Sequence, residues 1–274
     1  MSRDAGREAP TPEPSRTAGS MSYIDLHSVL RDWPYEPDKI SVRKILGADG
    51  NVRIQMRVEL GVLQMDAEGR PDGYRPHGHK TLLHYHRSRV ARYEQKNGTA
   101  LGFTLAREDC QELRVEASLF YRRYVALFVL EEYPGVIADT THSLGIFDLC
   151  RDYAADSDDR VWLEEFRAYV LMMQARARAY QAIEENEPTS ALAHVNRGII
   201  DIRAHYDRYR KTEAEENSEE LKVLRGMARE LGEKVPKDSL IVTRRALRDA
   251  IEQERFEDAA RLRDTLKNLY NHEA

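Results

Sequence analysis

The chain predicts a mainly helical protein with a small β unit near its N-terminus, an α+β arrangement. Three observations carry that reading. Apolar residues alternate with period two only between about 40 and 66. From about residue 80 onward the apolar spacing is helical, in long stretches free of Gly and Pro. Charged residues make up 32% of the 274 and apolar ones 41%, which suits thin helical layers with wide solvated faces better than one thick core.

Residues 1–20 carry Pro10, Pro12 and Pro14 among Ser, Thr, Gly and charge, too little apolar surface to offset the entropy of ordering, so a disordered tail is expected. Met21-Ser22 repeats the opening Met1-Ser2, which makes Met21 a second candidate start. Residues 21–97 form the expected β unit and its following helix. Val52, Ile54, Met56, Val58 and Leu60 alternate with Arg53, Gln55, Arg57 and Glu59, and Ile40, Val42 and Leu46 alternate before them. A three-residue loop, Asp49-Gly50-Asn51 with Asn51 left-handed, keeps both apolar faces on one side; it pairs Leu46 with Ile54 and Val42 with Val58. Gly61 breaks the alternation and predicts a bulge. EGRPDGY is turn chemistry, and Trp33-Pro34-Tyr35-Glu36-Pro37 reads as a strap over the sheet, with peptide recognition as the alternative.

Residues 98–212 predict antiparallel helix pairs. The first pair is LAREDCQELRVEASLFYRRYVALFVLEEY, stopped by Pro134-Gly135, and VIADTTHSLGIFDLCRDYA; DSDD then caps the next start. The second is VWLEEFRAYVLMMQARARAYQAIEEN and TSALAHVNRGIIDIRAHYDRYR. Shifted by 53 residues, 130–153 falls on 183–206 with seven identities: Glu131/Glu184, Glu132/Glu185, Ala138/Ala191, Gly145/Gly198, Ile146/Ile199, Asp148/Asp201 and Tyr153/Tyr206. Small residues at a fixed spacing let paired backbones approach, and the layout over about 114–210 resembles tetratricopeptide (TPR) repeats, without their 34-residue period or Trp-Leu-Gly start. Residues 213–236 predict a connecting helix: Ser218 caps it, Leu221, Leu224, Met227 and Leu231 form its seam, and Pro236 ends it.

In 237–274, Ser239 opens a helix with Leu240, Leu247, Ala250 and Ile251 on its apolar face. After a break at Glu254-Arg255 a second helix starts at Phe256 and carries Ala259, Leu262, Leu266 and Leu269 along one side. The run Phe256-Glu257-x-Ala259-Ala260-x-Leu262-Arg263-Asp264, with Leu247, Ala250, Ile251 and Glu254 before it and Leu266 and Leu269 after it, resembles the UVR motif. That helical hairpin is named for the bacterial excision-repair subunits UvrB and UvrC, and the whole chain is similar to a group of bacterial UVR-motif proteins. The motif also occurs in stress-protease adaptors and arginine-kinase activators. The resemblance implies a protein-interaction module with Leu247, Ala250, Ile251, Phe256, Ala259, Ala260, Leu262, Arg263, Leu266 and Leu269 as candidate partner-binding residues, the contact being homotypic or with another UVR or helical protein.

So short a hairpin buries too little surface to offset its own ordering, so its seam is expected to need a further surface. Phe256 is expected to fill the gap near the turn, and Ala259 and Ala260 to admit a partner helix.

Other chemistry is thinner. His77, His79, His84 and His86 cluster, but His84 and His86 point about 200° apart on a helix, and no cysteine or paired carboxylate completes a metal set. With Arg87, Arg89 and Arg92 they make a basic edge for nucleic acid, the alternative reading; a metal-dependent enzyme at the histidines is a third. From 237 to 274 eight Lys and Arg balance eight Asp and Glu. No phosphate loop, nucleophile triad or cofactor motif stands out, so no enzyme activity and no cofactor are expected. Cys110 and Cys150, the only cysteines, suit buried thiols in a reducing compartment. With a net charge of −5 and no secretory or membrane-spanning run, a cytoplasmic adaptor is the expectation.

Overall fold

A computed structural model describes residues 25–234, 239–253 and 255–270. The expected tail at 1–20, the start at Met21 and the stop at Pro236 lie outside them. A short helix α1 (His27–Leu30) leads to strands β1 (Val42–Leu46), β2 (Val52–Val58) and β3 (Gly61–Asp66), which form one antiparallel sheet in the order β1-β2-β3. Helices follow: α2 (Leu82–Asn97), α3 (Arg107–Val129), α4 (Tyr133–Tyr153), α5 (Ser157–Trp162), α6 (Arg167–Glu184), α7 (Pro188–Arg208), α8 (Thr212–Asn217), α9 (Glu219–Lys234), α10 (Ser239–Glu252) and α11 (Phe256–Tyr270). Among the described residues no helix is long and apolar enough to cross a membrane.

The expected α+β class holds, with corrections to the sheet. Its first hairpin pairs Val42 with Met56 and Leu46 with Val52, two residues from the expected register. The loop has three residues, as expected, but they are Ala48, Asp49 and Gly50. Gly50 takes the left-handed position (φ 79°) where Asn51 was expected, because a residue without Cβ enters that region at no steric cost. A shift of two preserves the faces, so Ile54 still points into the core. Gly61 makes no bulge: Val58 pairs with Gly61 across a two-residue turn at Glu59 and Leu60, and β3 completes a three-stranded sheet.

The strap lies as expected. The Trp33 ring sits 4.1 Å under the Arg43 guanidinium, its Nε1 donates to Ser41 Oγ at 2.6 Å, and Arg57 Nε donates to the Trp33 carbonyl at 2.9 Å. Ile54 and Met65 join the sheet to the core of α3, α4, α6, α7 and α9.

The helices α3, α4, α6 and α7 run antiparallel in succession. Two features anchor the first pair: a buried bidentate bridge from Arg123 to Asp139 (2.8 and 2.7 Å), and a Glu116 carboxylate that accepts from the Leu82 and Leu83 N–H groups at the start of α2 (2.7 and 3.0 Å) and meets His142 Nε2 at 3.0 Å. Pro134 and Gly135 do not separate the helices. They occupy the first turn of α4, where proline's missing N–H has no helical partner to lose. The stretch expected as one helix from Val161 is divided into α5, a 3-10 turn (Leu163–Phe166) and α6; Asp156 caps α5 through the Asp158 N–H. Ser218 caps α9 as expected, its Oγ accepting from the Leu221 N–H at 3.2 Å.

The two pairs are structural repeats, but the offset is 55 rather than 53. Glu131 (φ 60°) and Asn186 (φ 59°) fill the same left-handed loop position, and the Glu132 N–H to Leu127 carbonyl bond recurs as Glu187 to Ala182. At that offset Val136, Thr140, Ser143, Phe147 and Cys150 match Ala191, Val195, Gly198, Ile202 and His205, and all ten are buried. At 53, exposed Ala138 would match buried Ala191. The identities therefore straddle a two-residue slip, about 200° around the helix. Gly198 does let a pair close: a Cβ there would lie 2.4 Å from Ala175 Cβ on α6. Gly145 instead receives α2, where a Cβ would meet Leu83 at 3.0 Å and Arg87 at 2.8 Å.

Candidate protein-interaction site

The C-terminal hairpin is built from small residues inside and large ones at its turn. On α10, Thr243 and Ala250 are buried and Leu247 between them is half-buried; on α11, Ala259 and Leu266 are buried and Leu262 is half-buried. Positions 243, 247, 250 and 259, 262, 266 keep a three- and four-residue spacing, so each helix turns one narrow stripe toward the other. Ala250 and Ala259 lie nearest the turn, and alanine side chains let the backbones close there. Thr243, not among the expected residues, joins this stripe and was legible from its seven-residue spacing to Ala250.

The turn is fixed by backbone and by one arginine. The Arg255 N–H donates to the Ala250 carbonyl at 2.8 Å, closing the C-terminus of α10, and the Ala259 N–H donates to the Arg255 carbonyl at 2.9 Å, opening α11. Arg255 Nη1 reaches Asp258 at 2.9 Å, and Glu257 and Asp258 place negative charge at the positive end of α11. A concavity of about 370 Å³ lies beside this turn, lined by Ala246, Asp249, Arg255, Asp258, Arg261 and Leu262.

Two expectations change here. Phe256 does not fill a gap; it is 69% exposed, and Ile251 across the turn is 54% exposed. The seam does not stand open, because α10 and α11 pack on each other and α11 packs on α7 of the same chain. The surface the hairpin needs is supplied within the chain. Ala250, Ala259 and Leu266 are therefore enclosed, Leu247 and Leu262 are half-enclosed, and Ile251, Phe256, Ala260 and Arg263 face outward. Among the described residues Arg263 meets its neighbour Asp264, at 3.4 Å with both side chains about 70% exposed, a contact worth little. The side chain of Leu269 lies outside the described residues.

The histidine cluster serves packing. His84 Nδ1 lies 2.7 Å from Thr81 Oγ1, the cap of its own helix, while His77 stacks on Tyr85 at 4.0 Å and His79 meets the same ring edge-on. His86 is buried, with Arg89 Nη1 3.0 Å from its Nδ1, so burial holds its pKa down to about 4. Arg89 is also paired with Asp109 at 2.9 Å, which commits part of the expected basic edge. Among the described residues no three His, Cys, Asp or Glu side chains are grouped to hold a metal ion.

The model of the UvrB/uvrC motif, UVR, matches residues 237–271. It covers the hairpin alone. Comparison with curated proteins finds no match, and comparison with solved structures finds none.

Proposed function

We propose that this chain is a non-enzymatic adaptor that docks a protein partner on the turn of its α10/α11 hairpin. The observation that carries this reading is the exposed apolar pair Ile251 and Phe256 on a turn whose inner residues are already closed. The hydrogen-bonded turn presents both large side chains at the hairpin's end, and apolar and aromatic anchors buried by a partner dominate interface energetics. Ala260 gives a partner helix close approach, and Arg255, Asp258 and Arg261 beside the turn offer charge for orientation. Leu247, Ala250, Ala259, Leu262 and Leu266 set the hairpin's shape. The balanced charge of the segment favours a protein partner over nucleic acid.

The test is capture of binding proteins by the full chain and by Ile251→Asp and Phe256→Asp, with sedimentation velocity to read self-association. Loss of one bound species or of a dimer in both variants, at unchanged helix content, is the expected result. Equal capture and equal sedimentation in all three would refute the site. A salt-titrated DNA-binding assay separates the nucleic-acid alternative, whose phosphate contacts demand a steep loss with salt.

A further inference from the structure

A second concavity lies away from the hairpin, between α3, α4, the 3-10 turn, α6 and the start of α9. Its volume is about 540 Å³, within the range of small-ligand sites and too small for a helix. The floor is apolar, with Ala117, Phe147 and Val170 buried. Around the mouth stand Tyr121, Trp162 and Phe166, each 47% exposed, an unusual cost for three aromatic rings unless they meet something.

Charge selects the occupant. Aromatic faces attract cations, and this wall already holds one: the Arg114 guanidinium carbon lies 5.0 Å over the Trp162 ring. That charge is spent, because Asp159 pairs with Arg114 at 2.7 Å. The other charged residues lining the space are Glu165 and Glu220. Neither has an ion-pair partner among the described residues; Glu220 accepts one hydrogen bond, from Ser218 Oγ at 2.8 Å. An anion would meet two carboxylates, and a neutral hydrocarbon would leave both carboxylates without a counter-charge. A cation with an apolar body uses floor, rings and carboxylates together.

We propose that this pocket binds a small organic cation, a guanidinium or ammonium head on a short hydrocarbon stem, independently of the hairpin's partner. Phe147 and Val170 take the stem; Trp162, Phe166, Tyr121, Glu165 and Glu220 take the head.

Trp162 is one of two tryptophans in the chain and reports on the site directly. The test titrates the full chain with butylguanidinium, with 1-pentanol as the neutral analogue and pentanoate as the anionic one, following tryptophan fluorescence. Butylguanidinium should give a saturable change with a dissociation constant on the order of 1–10 mM, as a ligand of its size allows. It should bind at least about fivefold more tightly than pentanol, and pentanoate should give no saturation. The signal should vanish in Trp162→Leu. In Glu165→Gln/Glu220→Gln, two substitutions outside the core, affinity for the cation should fall at least about fivefold while pentanol binding is unchanged. Equal binding of cation and alcohol, no saturation by ~50 mM butylguanidinium, or an unaltered response in the double variant would overturn the proposal.

Discussion

The α6/α7 pair and the α10/α11 hairpin close in the same way and end in different surroundings. Each brings small residues together at the closest approach, Ala175 with Gly198 in one, Ala250 and Ala259 beside the turn in the other. The α6/α7 pair is then covered by α4 on one side and α9 on the other, so its large apolar residues Leu192 and Ile202 are fully enclosed. Among the described residues the hairpin rests on α7 through α11, and the large side chain at its turn, Phe256, stays in solvent. Small residues shape each helix pair, and the helices packed against it decide which of its large residues are enclosed and which stay exposed.

The two regions differ in what a substitution costs. The largest is expected inside the helical layer: Asp139→Ala leaves the Arg123 guanidinium buried without its bidentate partner and should cost about 3–5 kcal/mol in urea unfolding. Acidification comes next. His86 titrates near 4 in the folded chain against 6.5 for an unhindered histidine, so the unfolded chain takes up the proton first. Its contribution is fully present above pH 6.5 and declines as pH falls toward 4, by about 2 kcal/mol after allowance for residual solvation. Unfolding at pH 7 and pH 5 should differ less in His86→Phe than in the parent.

Gly198→Ala should destabilise by about 1–3 kcal/mol, since the added methyl lies 2.4 Å from Ala175 Cβ. Gly226→Ala, where a Cβ meets nothing within 4 Å, should be neutral or stabilising by up to about 1 kcal/mol. The smallest stability effect belongs to Phe256→Ala, under about 1 kcal/mol for a side chain so exposed, and thermal melting checks it. A loss as large as that of Asp139→Ala would mean Phe256 is core, and the contrast between the regions would fail.

Much of this was legible in the residues. Period-two alternation located the sheet, the Ser218 cap located α9, and the Phe256–Asp264 run located the hairpin. The details that went astray depend on competition between neighbours. Gly50 and Asn51 can both turn left-handed, and only the backbone preference of Gly decides the register. The repeat was real, yet its identities aligned exposed Ala138 with buried Ala191, because residue identity does not record which way a helix face points. That α11 would rest on α7 has no local signal, since it joins segments separated by some fifty residues. The aromatic pocket gathers Tyr121, Phe147 and Trp162 from three elements whose spacing forms no motif.

The most direct test is quantitative capture of a protein partner by the full chain and by Phe256→Asp, with both melting curves recorded on the same preparations. Coincident melting with loss of the captured species in the variant is the expected result. Coincident melting with undiminished capture would contradict it.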